Sequence, residues 1–239
     1  MAHIPEDRKI TLVFPPTWPA AALHRAGPWL VREGAGGGQR VSATTAAGAW
    51  SPDDIPVAEA AQRALGQPSL FLVRDVDAAL DAALDARGYR IHDPVFFRAC
   101  AVGDLALPVP PLSAFPHWPP LAVAEDLWAD GGIGPARVAV MHRAAGPKTA
   151  ILARADDRPA GIAYAAIHEA EAMIHALHIA PAFRRQGSAV NIMRTAAAWA
   201  QDHGATRISV AVTQGNAAAN ALYASLNMPI VGHYHYRLE

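Results

Sequence analysis

The sequence of 239 residues is poor in cysteine, in net charge and in long apolar runs, and each shortage excludes a class of protein. A single cysteine, Cys100, leaves no intrachain disulfide and fits a reducing compartment. A formal net charge of −1 provides no basic field that would attract nucleic acid or an anionic membrane. No stretch approaches the roughly 18 apolar residues of a membrane helix, and the N-terminal MAHIPEDRK lacks the apolar run of a signal peptide. We therefore expect a cytoplasmic protein that binds neither nucleic acid nor membranes.

The sequence does contain ample apolar material, and it concentrates proline in one place. Hydrophobic residues make up 52% of the chain, and the length allows one large domain or two small ones. Residues 103–120, GDLALPVPPLSAFPHWPP, have the composition of an extended linker, and a strand around residues 112–115 is the alternative. We therefore expect two domains, at residues 1–105 and 106–239.

Local patterns predict most elements of the first half. The apolar run at residues 10–14 predicts a short strand, and Thr-Trp-Pro predicts the start of a helix over residues 17–33. A continuous apolar run at residues 69–73 is typical of a buried strand. Residues 89–100 predict another strand, in which Pro94 requires an edge position or a bulge.

A strand, a glycine-containing turn and a helix follow one another around residue 180. The apolar run 176–180 ends at Pro181, and from Ser188 apolar residues recur at three- and four-residue steps until Gly204. The first N–H groups of a helix have no partner within it, and the helix dipole places partial positive charge there. The sequence therefore predicts an anion site at residues 184–189. An ordinary turn with exposed arginines is the alternative.

A second stretch, residues 216–228, favours the interpretation of residues 184–189 as an anion site over that of an ordinary turn. Together the two stretches resemble the GNAT acyltransferase superfamily, over roughly residues 121–239. The pyrophosphate loop of that family is Gln/Arg-x-x-Gly-x-Gly/Ala, and it is matched here by Arg184, Gly187 and Ala189.

The later motif of the family is Asn-x-x-Ala-x-x-Leu-Tyr, followed by a Gly-Phe ending. The first part is matched by Asn216, Ala219, Leu222 and Tyr223. The ending departs from the family, since Asn227 and Met228 stand in place of Gly-Phe. Asparagine tolerates the left-handed conformation that a helix end often needs, so the departure is mild.

The resemblance implies an α/β (α+β) fold with a mixed, mostly antiparallel central sheet flanked by helices. The two halves of the chain also look alike. When residue 69 is aligned with residue 208 without gaps, the strand at 69–73 falls on residues 208–212 and Gly88 falls on Asn227. We call this shift in numbering, 208 − 69, the inter-half offset. We expect a degenerate GNAT-like first half, because it lacks both the Arg-x-x-Gly-x-Ala loop and the Leu-Tyr pair. Coincidence between two alanine-rich units is the alternative.

The resemblance implies acetyl-CoA, or another acyl-CoA, as the donor. The loop suits the pyrophosphate, and an exposed strand backbone can pair with the amides of the pantetheine arm. The expected cofactor-binding residues are Leu177, His178, Ile179, Arg184, Arg185, Gln186, Gly187, Ser188, Ala189, Asn216 and Tyr223.

Acyl transfer to an amine also needs a proton acceptor, an oxyanion partner and a proton donor for the departing thiolate. The resemblance implies that Tyr223 is the donor, with its hydroxyl at a helix start and facing two separated strands. A phenol with a pKa near 10 can protonate a thiolate of pKa near 8.5. A packing role for this tyrosine is the alternative. A backbone N–H of Leu177 or Ile179 is the expected oxyanion partner.

The base is not resolved by the sequence. His175 lies two residues before Leu177, so strand alternation places both on one face, and an ordinary histidine pKa suits proton abstraction near neutrality. A histidine without a role is an equal alternative. Four other candidates can act directly or through water: His168, Glu169, Glu171 and His178.

The expected function is transfer of an acetyl group from acetyl-CoA to a primary amine of a small molecule. Acetylation of a protein N-terminus or a lysine is one alternative, and a non-catalytic acyl-CoA-binding or regulatory module is another. A homodimer is left open. The histidines of residues 232–237 predict no metal site, because no carboxylate or cysteine joins them at a ligand-like spacing.

Overall fold

The computed structural model describes residues 13–239. Its strands are β1 (Ala22–Ala26), β2 (Trp29–Glu33), β3 (Thr45–Ala46), β4 (Leu70–Arg74), β5 (Arg90–Ala101), β6 (Ala114–His117), β7 (Lys148–Ala155), β8 (Arg158–His168), β9 (Glu171–Ile179), β10 (Arg207–Thr213) and β11 (Ile230–Leu238). Its helices are α1 (Ile55–Ala64), α2 (Ala78–Ala86), α3 (Val102–Leu105), α4 (Ala122–Asp130), α5 (Pro135–Arg143), α6 (Ser188–Asp202) and α7 (Ala217–Ser225).

Eight of these strands form one sheet, in the order β4-β11-β5-β10-β9-β8-β7-β6. Within the described residues, β9 and β10 run parallel and the other neighbours of this sheet run antiparallel. The expected mixed, mostly antiparallel sheet flanked by helices is confirmed. Strands β1, β2 and β3 form a separate small sheet. No helix of residues 13–239 combines the length and the apolar character needed to cross a bilayer.

Helices cover both faces of the large sheet, because alternate residues of its central strands point in opposite directions. In β8, Ala163 and Ala165 join the buried cluster that contains Met193 of α6. Their neighbours Ile162 and Tyr164 join the cluster on the other face, which contains residues of α4 and α5. The core is therefore two-layered around this part of the sheet.

The predicted helix over residues 17–33 is wrong. Residues 22–33 form a hairpin instead, in which Trp29 and Val31 are fully buried at two-residue spacing. Gly27 has a φ of +58° at the turn, and the following Pro28 would disrupt a helix interior. The predicted strand at residues 10–14 is also wrong where it is described, because residues 13–17 are helical. Residues 10–12 lie outside the described part.

The predicted strand at residues 89–100 is confirmed as β5, and its position links the two halves of the chain. It lies between β10 and β11, so it is central rather than an edge strand. The register of β5 against β11 shifts between Tyr234 and Tyr236, opposite Pro94, so the alternative of a bulge is correct. The preceding Asp93 has a φ of +41°. The proline-rich segment after β5, residues 103–120, contains the edge strand β6.

The inter-half offset recurs in the register of the sheet. Val210 of β10 lies opposite Arg98 of β5, and Phe71 of β4 lies opposite Arg237 of β11. Both differences in numbering, 210 − 71 and 237 − 98, equal the offset 208 − 69. The next three pairs along each ladder repeat at the same offset: Ala211–Phe97 with Leu72–Tyr236, Val212–Phe96 with Val73–His235, and Thr213–Val95 with Arg74–Tyr234. Two ladders related by the inter-half offset therefore have the same pairing.

Candidate active site

The site begins where β9 and β10 separate. Their parallel pairing runs from Glu171 opposite Arg207 to Ile174 opposite Val210, and it stops there although both strands continue. A cavity of about 340 Å³ lies at this opening, and its lining includes Ala176 of β9. Unpaired strand backbone thus faces a space large enough for a small molecule.

A bulge in β9 marks the start of the opening. Tyr164 lies opposite His175 and Ile162 opposite His178, so β9 holds one more residue than β8 over this interval. Ala176 at the bulge has a φ of +53°, and its carbonyl accepts a hydrogen bond of 2.9 Å from the indole of Trp128. The irregular backbone is therefore held in place by a buried side chain.

Beyond the bulge, β9 presents backbone groups to the opening. The N–H of Ala180 donates to the carbonyl of Ala160 on the β8 side at 3.0 Å. Because successive residues of a strand direct their N–H groups to opposite sides, the N–H groups of Leu177 and Ile179 point away from β8, toward the opening. The backbone N–H groups of Leu177 and Ile179, which the sequence predicts to bind the pantetheine arm, therefore lie on the open side of β9.

The predicted loop lies at the end of this strand and starts α6. Gly187 is the N-terminal cap of α6 with a φ of +88°, and a Cβ atom built on it meets nothing within 4 Å. Among the described residues, no side chain caps α6 and none in its first turn is acidic. Open space therefore lies beside Gly187 at the start of a 15-residue helix whose first N–H groups have no side-chain partner, which suits a phosphate group.

The other predicted loop residues surround this helix start. Arg184, Arg185 and Gln186 are exposed, whereas Ser188 is buried and Ala189 is half-buried. The guanidinium of Arg184 reaches back to the end of β9, where its Nε donates to the carbonyl of Ile179 at 3.2 Å. Arg184 thus connects the loop to the strand that precedes it.

Asn216 caps α7, as the sequence predicts. Its Oδ1 accepts a hydrogen bond of 3.0 Å from the N–H of Ala219, so this helix start is closed by the chain's own side chain. At the other end, Asn227 has a φ of +54°, a left-handed conformation that asparagine tolerates better than most residues.

Tyr223 is buried, and it lies in the last turn of α7 rather than at the expected helix start. It belongs to the buried cluster that contains Val212 and Met193. Burial raises the pKa of Tyr223 to about 12, and the charge of Arg40 opposes this rise. The hydroxyl therefore stays protonated at neutral pH, and its proton is harder to remove than the ordinary phenol value suggests.

His175 is fully buried, and both of its ring nitrogens are engaged. Arg40 places Nη1 at 3.2 Å from Nδ1, and a guanidinium can only donate, so Nδ1 accepts. The proton then resides on Nε2, which donates to Oγ1 of Thr17 at 3.1 Å. The ring stacks on Trp18 with centroids 4.9 Å apart. Burial, and secondly the charge of Arg40, hold the pKa of His175 well below its usual value.

The other candidate bases are not brought to the cavity. His168, Glu169 and Glu171 lie around the β8–β9 turn, at the end of β9 where the sheet is closed. His178 is near the open end, but its ring packs on Gly131, whose built Cβ would come within 2.6 Å of Nδ1. Burial lowers the pKa of His178, with a further contribution from Arg184.

Sequence reasoning missed Arg40, which comes from the first half of the chain. It is carried by a 3₁₀ turn, Gln39–Val41, and its guanidinium lies 4.8 Å from the ring centroid of Phe14. Arg40 also acts on the hydroxyl of Tyr236, where burial raises the pKa and the arginine opposes that rise. No local pattern marks this residue, since its partner His175 is 135 positions away.

The comparisons with known proteins agree with this geometry. The Acetyltransferase (GNAT) family model matches residues 113–228. An uncharacterized N-acetyltransferase, YobR, of Bacillus subtilis (strain 168) is 23% identical over 249 residues, covering 97% of this chain and 98% of the relative. A GCN5-related N-acetyltransferase from Kribbella flavida has a TM-score of 0.71 at 19% identity, covering 99% of this chain and 96% of that one.

A second solved structure is similar over a smaller share of the chain. It is a tandem GNAT protein from the clavulanic acid biosynthesis pathway, with a TM-score of 0.55 at 14% identity. The match covers 77% of this chain and 67% of that chain. At these identities the structures establish the fold alone, whereas the family model and the bacterial relative bear on activity. Together they support the acetyltransferase (GNAT) family for this chain, and an acyltransferase as its enzyme class.

Proposed function

We propose that the chain transfers the acetyl group of acetyl-CoA to a primary amine of a small molecule. The observation that carries the proposal is the succession of two features along the end of β9 and the loop that follows it. Free N–H groups of α6 lie beside Gly187 at one end of β9, and unpaired backbone at Leu177 and Ile179 lies along it. A diphosphate joined to an amide-containing arm has matching chemistry.

In this proposal the loop from Arg184 to Ala189 holds the pyrophosphate, and β9 holds the pantetheine arm. Asn216 also lies near the donor, although its side chain already caps α7. The bound donor supplies an activated acetyl thioester. A backbone N–H of Leu177 or Ile179 offers a hydrogen bond to the developing oxyanion, since both point into the opening.

Tyr223 is the proposed proton donor to the departing sulfur. With a pKa of about 12, it is less acidic than a thiol near 8.5 by roughly 3 to 4 pKa units. Full proton transfer is therefore uphill, so we propose that the hydroxyl donates a hydrogen bond to the sulfur in the transition state and that the thiolate then takes its proton from solvent. The neighbouring charge of Arg40 favours this donation, because it lowers the cost of negative charge on the phenol.

His175 has a different role in this proposal from the base that the sequence suggested. Its Nδ1 lone pair is occupied by Arg40 and its Nε2 proton is directed to Thr17. We propose that His175 positions Arg40 at the opening and that the attacking amine loses its proton to solvent.

The first half is proposed to be a GNAT-like remnant that has no CoA site of its own. The recurrent register of β4 and β10 supports common ancestry of the halves. At the inter-half offset, the loop at residues 184–189 corresponds to residues 45–50, which contain no arginine or lysine to bind a phosphate. This half would then contribute Arg40 and one wall of the cavity.

Turnover of acetyl-CoA with a panel of primary amines tests the function, with donor binding measured by calorimetry in parallel. Release of CoA together with an acetylated amine supports the enzyme. Tight binding of acetyl-CoA without turnover on any amine, peptide N-terminus or lysine peptide supports the regulatory alternative. Transfer to the peptides alone supports a protein acetyltransferase.

A further inference from the structure

The cavity at the opening is lined by more positive than negative charge. Its titratable lining consists of Arg40, Arg137, Asp93 and two tyrosines, Tyr234 and Tyr236. Asp93 is about half exposed, and its Oδ2 lies 3.6 Å from Nε2 of His92. One partly solvated carboxylate and two guanidinium groups therefore line the same cavity.

The contacts of Arg40 within the described part of the chain are with neutral groups. Its contacts are the ring of Phe14, Nδ1 of the neutral His175 and the hydroxyl of Tyr236. No carboxylate of residues 13–239 forms an ion pair with it. A half-buried guanidinium without an anion is costly, so a bound anion would be strongly favoured there.

Arg137 lies beside the turn that carries Arg40. A Cβ atom built on Gly38 would come within 3.3 Å of Nη2 of Arg137, so the absence of a side chain at Gly38 leaves room for the guanidinium. Arg137 is exposed and has no ion pair or hydrogen bond among the described residues. Two guanidinium groups, each with unused donors, thus line one cavity.

We infer that the acceptor amine also carries an anionic oxygen group, a carboxylate or a phosphate monoester, which binds to Arg40 and Arg137. The inference rests on the proposed function and specifies its substrate class. Arginine forks pair with both kinds of anion through two parallel hydrogen bonds. Acceptors that carry several amines and no anion would be repelled by the same two charges.

Matched pairs of amines test this inference. The probes are leucine with isoamylamine, phenylalanine with phenethylamine, and O-phosphoethanolamine with ethanolamine. The two amines of a pair differ in basicity, so the readout is the change in their kcat/KM ratio between the parent and each variant. Arg137→Met should lower the ratio of anionic to neutral member by about tenfold or more, as expected for one charge-assisted hydrogen bond.

The variants separate binding from folding. Arg137 makes no hydrogen bond within residues 13–239, so Arg137→Met leaves the fold intact, whereas Arg40→Met also removes the contact with His175. Arg40→Lys keeps the charge and loses the fork, and it should fall between the parent and Arg40→Met. Arg25→Met removes an exposed arginine of β1 and should leave every ratio unchanged. The phosphate pair and the carboxylate pairs show which anion is preferred.

Failure of the proposed function and failure of this inference have different signatures. If no amine is acetylated, calorimetry on the CoA-bound protein still compares the members of each pair. Tighter binding of the anionic member, lost in Arg137→Met, supports the anion site without supporting catalysis. Equal ratios in the parent, Arg137→Met and Arg40→Met contradict the inference while leaving the transferase intact. Binding of no anionic member contradicts it as well.

Discussion

Arg98 and Arg237 occupy equivalent positions in the two halves, related by the inter-half offset, and each anchors a helix of the opposite half of the chain. Arg98 of β5 donates from Nε to Oδ1 of Asn220 on α7 at 3.2 Å. Arg237 of β11 donates from Nε to Oδ1 of Asp81 on α2 at 2.7 Å. The two acceptors are related by the same offset, since 220 − 81 equals 237 − 98. The side-chain contacts therefore follow the strand register.

The second contact of each arginine obeys the same rule. Nη1 of Arg98 donates to the carbonyl of Met228 at 3.0 Å, and Nη1 of Arg237 donates to the carbonyl of Tyr89 at 2.8 Å. The last strand of each half is therefore inserted beside the other half's helix. A chain built this way cannot separate its halves without breaking the sheet, which explains how a residue of the first half reaches the opening.

The two arginines should differ in their effect on stability. Arg237 bonds the carboxylates of Asp81 and Asp85, and its side chain is 7% exposed, whereas Arg98 bonds neutral acceptors. Arg237→Met should lower the free energy of unfolding by about 3 kcal/mol, because it removes charge-assisted hydrogen bonds to two carboxylates. Arg98→Met should cost about 1–2 kcal/mol. Urea denaturation measures both, and equal losses would contradict the assigned contacts.

Gly187→Glu should weaken CoA binding by at least about tenfold, because a carboxylate would occupy the space proposed for the pyrophosphate. Gly204→Glu is the matched control. Gly204 follows the other end of α6, has a φ of +82° and, like Gly187, has nothing within 4 Å of a built Cβ. Both variants carry the same backbone strain and charge, so calorimetry should show weaker CoA binding in the first alone. Equal CoA affinities in the two variants would remove the loop from the proposed site.

Tyr223→Phe should lower kcat by roughly 10²- to 10⁴-fold and leave KM for acetyl-CoA nearly unchanged, since the lost hydrogen bond acts in the transition state. Burial raises the pKa of Tyr223 to about 12, so the deficit should be uniform between pH 6 and pH 9. Tyr89→Phe is the control, because Tyr89 is a buried tyrosine of the first half that bonds Glu59. Parental turnover in Tyr223→Phe at every pH would assign the tyrosine to packing.

His175 should make the folded state sensitive to acid. Burial holds its pKa well below the ordinary 6.5, so below that pH the unfolded chain binds a proton that the folded chain does not. The contribution of His175 to the free energy of unfolding is constant above pH 6.5. As the pH falls below that value the histidine destabilises the fold, by about 2 kcal/mol near pH 5. His175→Gln should reduce the loss of stability between pH 7 and pH 5 by that amount, and the exposed His203→Gln should not. An unchanged pH dependence in His175→Gln would show that the histidine is not buried in its neutral form.

The sequence predicted the parts of the site that depend on local chemistry. The strand, the Gly187 turn and α6 are contiguous, and their periodicity and glycine are visible without tertiary information. Asn216 as a helix cap follows from residue type alone. These elements could be predicted because the contacts that define each of them lie within a few positions along the chain.

What the sequence could not supply depends on contacts between distant segments. Residues 22–33 contain helix-compatible alanine, leucine and arginine, and pairing of β1 with β2 overrode that preference. The insertion of β5 and β11 into the opposite halves depends on the topology of the sheet. The inter-half offset shows that the two halves are alike, but it does not say which strands pair. Arg40 follows a run of glycines, and no sequence pattern near it predicts its contact with His175.

The structure of the complex with CoA is the most direct test of the central claim, that the opening between β9 and β10 is the donor site. The account predicts one CoA per chain, with its pyrophosphate against the backbone N–H groups of residues 187–189. The pantetheine arm should pair with Leu177 and Ile179, and the sulfur should lie within hydrogen-bond reach of the Tyr223 hydroxyl. A pyrophosphate bound elsewhere, a second CoA in the first half, or a sulfur remote from Tyr223 would contradict it.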